Sequence, residues 1–199
     1  MNHEFISYSY GKIKIPIPCN YADCLELVKS DWFRCYGTVP SLVKLLLGMR
    51  RLNISFSFWL RFSTYKGIFY PFCHKILNRY ARKYGIHIDP NTKIGYGLYL
   101  SHCFGIIINP TAVIGNNVNL SQFTTIGSNE NNAAIIGDNV YIGPNVCIVE
   151  DVEIGKEVTI GAGAVVVKNI PPNATAVGVP THIISYESPA RFINNKYLC

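Results

Sequence analysis

At 199 residues, with 49% hydrophobic and 15% charged side chains, the chain has room for one sizeable core and a smaller appendage. Its net charge of +6 is unevenly spread. Ten basic residues and no Asp or Glu lie between Trp32 and Ile86, whereas the segment from His87 to Ile184 is mildly acidic, so two structural units are expected. Seven cysteines, an odd number with no CxxC pair, fit neither a disulfide framework nor a zinc ribbon and point to free thiols in a reducing cytoplasm.

The N-terminus carries Glu4 and no apolar core of a signal peptide. Lys12 to Pro18 alternates polar and apolar residues but contains two prolines, which predicts an edge strand or an extended arm. From Ala22 to Tyr36 the pattern is helical, with Leu25, Val28, Trp32 and Cys35 on one stripe. Pro40 suits a first helical turn, and Ser41 to Leu47 reads as a short apolar helix stopped by Gly48. Ile54 to Lys66 is aromatic, and basic residues five apart favour helix over strand there. Phe72, Ile76, Tyr80 and Tyr84 recur every four residues before Gly85, which predicts a last helix docking on the segment that begins at His87. Residues 1–86 are therefore a mostly helical, basic region.

No run in this half approaches the roughly 18 apolar residues a spanning helix needs. Two readings of Trp32, Phe58, Trp59 and Phe62 among the basic residues remain open. They are core or oligomer contacts with the cations merely solvated, or they form a peripheral contact with an anionic membrane surface at its cytoplasmic side. No recognition motif supports nucleic-acid binding.

From Ile88 onward an aliphatic residue returns every sixth position. Ile88, Ile94, Leu100 and Ile106 open the series, and Ile114, Leu120 and Ile126 resume it after a two-residue slip near Ile106–Ile108. Ile136, Ile142, Ile148, Ile154, Ile160 and Val166 complete it. A small or β-branched residue precedes most of them by two positions. A period of six fits neither helix nor flat strand; it predicts a parallel β-helix with short strands and tight corners. The expected class is thus mainly β, a β-helix over 87–184 with a smaller N-terminal α-helical region and a tail at 185–199. Four residues beyond the six-residue period enter within the Asn-rich segment 128–132, where repeat proteins place function.

Among residues able to carry chemistry, His102 is the one histidine inside the coils after His87. It follows inward Leu100, so it can project outward, and imidazole suits a general base at neutral pH. Cys103 has no neighbour in sequence to lower its pKa and reads as an inert thiol. The histidines are too few for a metal site, so no metal is expected.

The segments Lys93–Leu98, Leu100-Ser101-His102, Gly105–Ile114, Gly161–Val166 and Ile170-Pro171-Pro172 through Gly178-Val179-Pro180 together resemble the serine O-acetyltransferases and related hexapeptide-repeat acyltransferases. The resemblance implies a left-handed β-helix, a homotrimer and acetyl-CoA in the cleft between adjacent prisms, with the pairing of trimers left open. It implies that His102 is the catalytic base and that Ala162, Gly161, Gly143 and Thr125 give main-chain contacts to the pantetheine arm. Gly178 and Pro180 would line the coenzyme's far end. His87 and Asp89 stand where the family has Asp and His, exchanged. Asp89 either orients His102 or satisfies local N–H groups.

Ser101 replaces the family's acidic residue before the histidine, and the 128–135 insertion lacks its Arg-His pair. Pro144 removes one N–H donor toward the coenzyme. On these departures the expected reaction is O-acetylation of a neutral hydroxyl, a sugar of a glycan or its precursor. The alternatives are serine O-acetylation for cysteine synthesis and, in another class, a non-catalytic scaffold.

Overall fold

The computed structural model describes residues 1–129 and 132–198; Glu130 and Asn131 of the Asn-rich insertion, and Cys199, lie outside the described residues. An antiparallel hairpin opens the chain, β1 (Asn2–Tyr8) and β2 (Gly11–Ile17), closed by a two-residue turn. Of the edge strand or extended arm expected at Lys12–Pro18, the strand forms, as the second of that hairpin. Four helices come next: α1 (Tyr21–Tyr36), α2 (Leu42–Gly48), α3 (Leu52–Phe62) and α4 (Tyr70–Tyr84). Asn20 caps α1 by accepting from the Asp23 N–H at 2.9 Å, and Gly37 ends it at φ 67, a left-handed geometry that glycine adopts without strain.

The hexad region forms five stacked coils of a parallel β-helix. The first is β3 (His87–Ile88), β4 (Lys93–Ile94) and β5 (Tyr99–Leu100). The second is β6 (Ile107–Ile108), β7 (Val113–Ile114) and β8 (Asn119–Leu120), and the third is β9 (Thr125–Ile126), β10 (Ile135–Ile136) and β11 (Tyr141–Ile142). The fourth is β12 (Cys147–Ile148), β13 (Glu153–Ile154) and β14 (Thr159–Ile160). The fifth has β15 (Val165–Val166), a bridge at Ile170 and β16 (Thr175–Val177), against which β17 (His182–Ser185) folds back antiparallel. Three flat faces result: β3-β6-β9-β12-β15, β4-β7-β10-β13 and β5-β8-β11-β14-β16.

The core is the inward row. Ile114, Leu120, Ile126, Ile136, Ile142, Ile154 and Ile160 are all fully buried, each worth roughly 1.5–3 kcal/mol of burial. One register expectation is corrected. Ile88 pairs with Ile108, so Ile106 belongs to the small-residue row two positions earlier and the slip lies upstream, between Leu100 and Phe104.

The helices close the first coil's end of the prism. Arg61 and Asp31 form a buried ion pair, the guanidinium 1% exposed, and Arg61 also donates to the carbonyls of Ile94 and Gly95. Asp31 accepts from the Leu98 N–H, and Ser30 from the Gly97 N–H. Arg34 is buried as well, donating to Gly97 O and to the Asn119 side chain. The expectation that the basic residues here are merely solvated therefore fails for Arg34 and Arg61: first-coil carbonyls facing a helix layer need donors. On α4 the buried stripe is Cys73 and Leu77 with Tyr80 and Tyr84 packed alongside, and Phe72 is exposed. The four-residue spacing is right at Tyr80 and Tyr84 and one position off at Phe72 and Ile76.

Two faces of the prism are covered from outside. The hairpin lies on the second face, where Ile13 and Ile15 pack on Val113. The tail runs along the third, with the Phe192 ring on Tyr141 and Asn117 and Asn119 holding the Tyr197 and Phe192 carbonyls. No helix forms at Pro189–Arg191; a turn there buries Ala190 and Ile193. The first face keeps Ile107 and Cys147 exposed.

Candidate functional site

The edge between the third and first faces collects most of the candidate residues. Its ladder runs Ser101 N to Leu120 O, Ser121 N to Ile142 O, Gly143 N to Ile160 O and Gly161 N to Ala176 O. One step on, Phe123 N bonds Phe104 O, Asn145 N bonds Gln122 O and Gly163 N bonds Pro144 O. Ser101, Ser121, Gly143 and Gly161 are therefore equivalent, and so are Phe104, Gln122, Pro144 and Ala162. The two residues left over in the first coil are His102 and Cys103. The slip in the repeat is this pair.

The insertion explains their opposite fates. His102 takes a left-handed backbone, φ 48, which few side chains tolerate, and its ring is exposed with no hydrogen-bond partner among the described residues. Cys103 turns inward, 2% exposed, where burial pushes its thiol up to about 12. The thiol is thus buried and held protonated, whereas the imidazole is exposed.

Above His102 the edge offers one notable donor. Thr125, Gly143 and Gly161 commit their N–H groups to the coil ladder, to Val146 O, Ile160 O and Ala176 O. Exposed Ala162 commits none among the described residues. Of the four main-chain positions expected to meet a pantetheine arm, only Ala162 retains an N–H for it. A side chain at Gly143 would stand 2.8 Å from the Ala162 nitrogen, so coil stacking alone accounts for that glycine. Gly178 has φ 97 and its carbonyl accepts from Val165 N; Pro180 follows a cis bond and is exposed at the edge's far end. Gln122, one coil above His102's corner, carries no signal in the sequence; its Oε1 is buried without a partner among the described residues. Only the ladder register reveals it.

His87 and Asp89 lie elsewhere, beneath α4. A cavity of about 640 Å³ lined by His74, Lys75, Asn78, Arg82 and His87 adjoins one of about 230 Å³ that shares His74, Asn78 and His87 and adds Asp89. Asp89 accepts from the Asn91 N–H and side-chain amide, both at 2.7 Å, so it serves its own turn; no bond joins it to His102. No group of three or more metal-ligating side chains occurs among the described residues.

The family model for bacterial transferase hexapeptide repeats (six repeats) matches residues 133–168. The chain is 40% identical over 113 residues to serine acetyltransferase 3, mitochondrial, of Arabidopsis thaliana, covering 55% of this chain and 29% of the relative. It is 38% identical over 111 residues to the serine acetyltransferase of Escherichia coli K12, covering 54% and 41%. The crystal structure of Neisseria gonorrhoeae serine acetyltransferase in complex with serine superposes with a TM-score of 0.70 at 30% identity, over 82% of this chain and 70% of that one. The chain belongs to the hexapeptide-repeat acyltransferases. Its β-helix is accordingly left-handed. A serine acetyltransferase of Brucella abortus in complex with coenzyme A matches with a TM-score of 0.70 at 25% identity, over 82% and 68%. The chain spans less than half the length of the Arabidopsis and Escherichia relatives.

Proposed function

We propose that this hexapeptide-repeat acyltransferase is an acetyl-CoA-dependent O-acetyltransferase with His102 as general base. The observation that carries the reading is the single edge on which His102, Ala162 and Gly178 lie in line. Adjacent coils are about 4.8 Å apart, so the edge from the first to the fifth coil runs roughly 19 Å, room for an extended pantetheine arm. Ala162 N–H would hold an amide of that arm. His102 would take the proton of the acceptor hydroxyl as its oxygen attacks the thioester carbonyl. The carbon–sulfur bond then breaks, and the departing thiolate recovers the proton from the imidazolium. Transfer is direct, which agrees with the burial of Cys103.

His102 lacks a partner on its own chain among the described residues, and the first face beside it is the uncovered one, with Ile107 47% exposed. Both features support a homotrimer in which that face meets a neighbouring prism and the site is completed across the seam. A single-chain mass in sedimentation would contradict it.

L-Serine is the acceptor the relatives favour. Beneath α4, Lys75 and Arg82 line a cavity whose charge suits a carboxylate. They would replace the Arg-His pair missing from the 128–135 insertion. The second reading, a neutral sugar hydroxyl, rests on Ser101 standing in place of an acidic residue. Thiol release from acetyl-CoA, measured with L-serine and with a panel of sugars, decides between them. Turnover with serine alone supports the first; turnover with sugars alone overturns it.

A further inference from the structure

Helix α2 has its apolar side facing out. Leu45 is buried against Trp32, and Gly48 lets the helix approach that indole, since a Cβ there would stand 2.2 Å from the ring. The opposite side, Leu42, Val43, Leu46 and Leu47, is 60–66% exposed at every position. Four large aliphatic side chains in one turn-and-a-half make a contiguous patch rather than scattered exposure. Among the described residues, nothing of this chain covers them.

The charge around the patch selects its occupant. Of the ten basic residues between Trp32 and Ile86, Arg34 and Arg61 are buried; the other eight, Lys44, Arg50 and Arg51 nearest the patch, are exposed. No acid lies in that stretch, and the acids of α1 are engaged elsewhere: Asp23 with the N-terminal amine, Glu26 with the Tyr197 hydroxyl and Asp31 with Arg61. A second copy would bring the same cations against these, which opposes self-association through this face. An anionic surface would complement them. No helix among the described residues is long and apolar enough to cross a membrane, so the contact is peripheral.

We infer that α2 docks the protein on an anionic lipid bilayer, its four aliphatic side chains entering the interface while Lys44, Arg50 and Arg51 meet the lipid phosphates. This contact is independent of the acetyl-transfer reaction and is tested without it.

The test is co-sedimentation of the full chain with vesicles of phosphatidylcholine and phosphatidylglycerol in equal amounts, against vesicles of phosphatidylcholine alone. The protein should sediment with the anionic vesicles, release as salt is raised, and bind the neutral ones at least about tenfold more weakly. The L46E/L47E variant changes exposed positions only, so it should keep the native thermal transition and lose at least about tenfold in vesicle binding. R50E/R51E should lose binding to the anionic vesicles alone. Equal binding of wild type and L46E/L47E, or none by either, overturns the proposal. So does a lipid-free particle mass that falls in L46E/L47E, because a second copy would then be the occupant.

Discussion

His102 and Cys103 adjoin in sequence and differ in everything else. Both are the surplus of one coil, and the chain absorbs the surplus by turning one side chain out and the other in. With its thiol pushed up to about 12 by burial, Cys103 holds its proton at neutral pH. It should resist alkylation in the native protein while exposed Cys19 reacts, and Cys103→Ser should keep its thiol-release activity. Rapid labelling of Cys103 without unfolding would contradict this, as mapped by peptide mass spectrometry. The outward His102 and the inert Cys103 are legible in the sequence, since Leu100 fixes the local direction. That they are themselves the insertion is not, because two nearby isoleucines, Ile106 and Ile108, fit the inward row equally well until the pairing of Ile88 with Ile108 decides. For Asp89 the sequence admits two roles, and its bonds to Asn91 assign the local one.

At the scale of elements, Arg61 decides how the helical layer sits on the prism. It joins α3 to Asp31 of α1 and to two carbonyls of the first coil in one buried cluster. Arg61→Met would fill the space but leave the Asp31 carboxylate buried without its counter-charge, a loss of about 3–5 kcal/mol. Urea unfolding should show it as a lower midpoint; a change below about 1 kcal/mol would contradict the role given to this pair. The helices themselves are legible from apolar spacing and the stop at Gly85, although Gly48, read as the stop of α2, lies inside it and Met49 caps it. Their buried arginines are not, because the partners lie some 30 or more positions away and composition sees only charge. The first half of the α4 stripe is misplaced by one residue for a related reason: Phe72 looks like a core residue, and only the packing on the first coil shows that Cys73 and Leu77 take that place, while Tyr80 and Tyr84 pack as expected.

In the whole molecule, each face of the prism has a distinct fate. The hairpin covers one, the tail covers another, and the third stays open beside His102. The six-residue period makes the prism legible; the covering segments are not, since neither the proline-bearing hairpin nor the polar tail has a periodicity that names its partner. In the function proposed above, the outward edge would take a long thioester and the open face would meet a neighbouring prism. Both lead back to one imidazole. The most direct test is the turnover of His102→Ala with acetyl-CoA and the acceptor identified in the thiol-release panel, alongside its coenzyme A affinity. With His102 as the base, the rate should fall by roughly a hundredfold to ten-thousandfold while affinity and particle mass stay unchanged. A variant that turns over at the wild-type rate would contradict it.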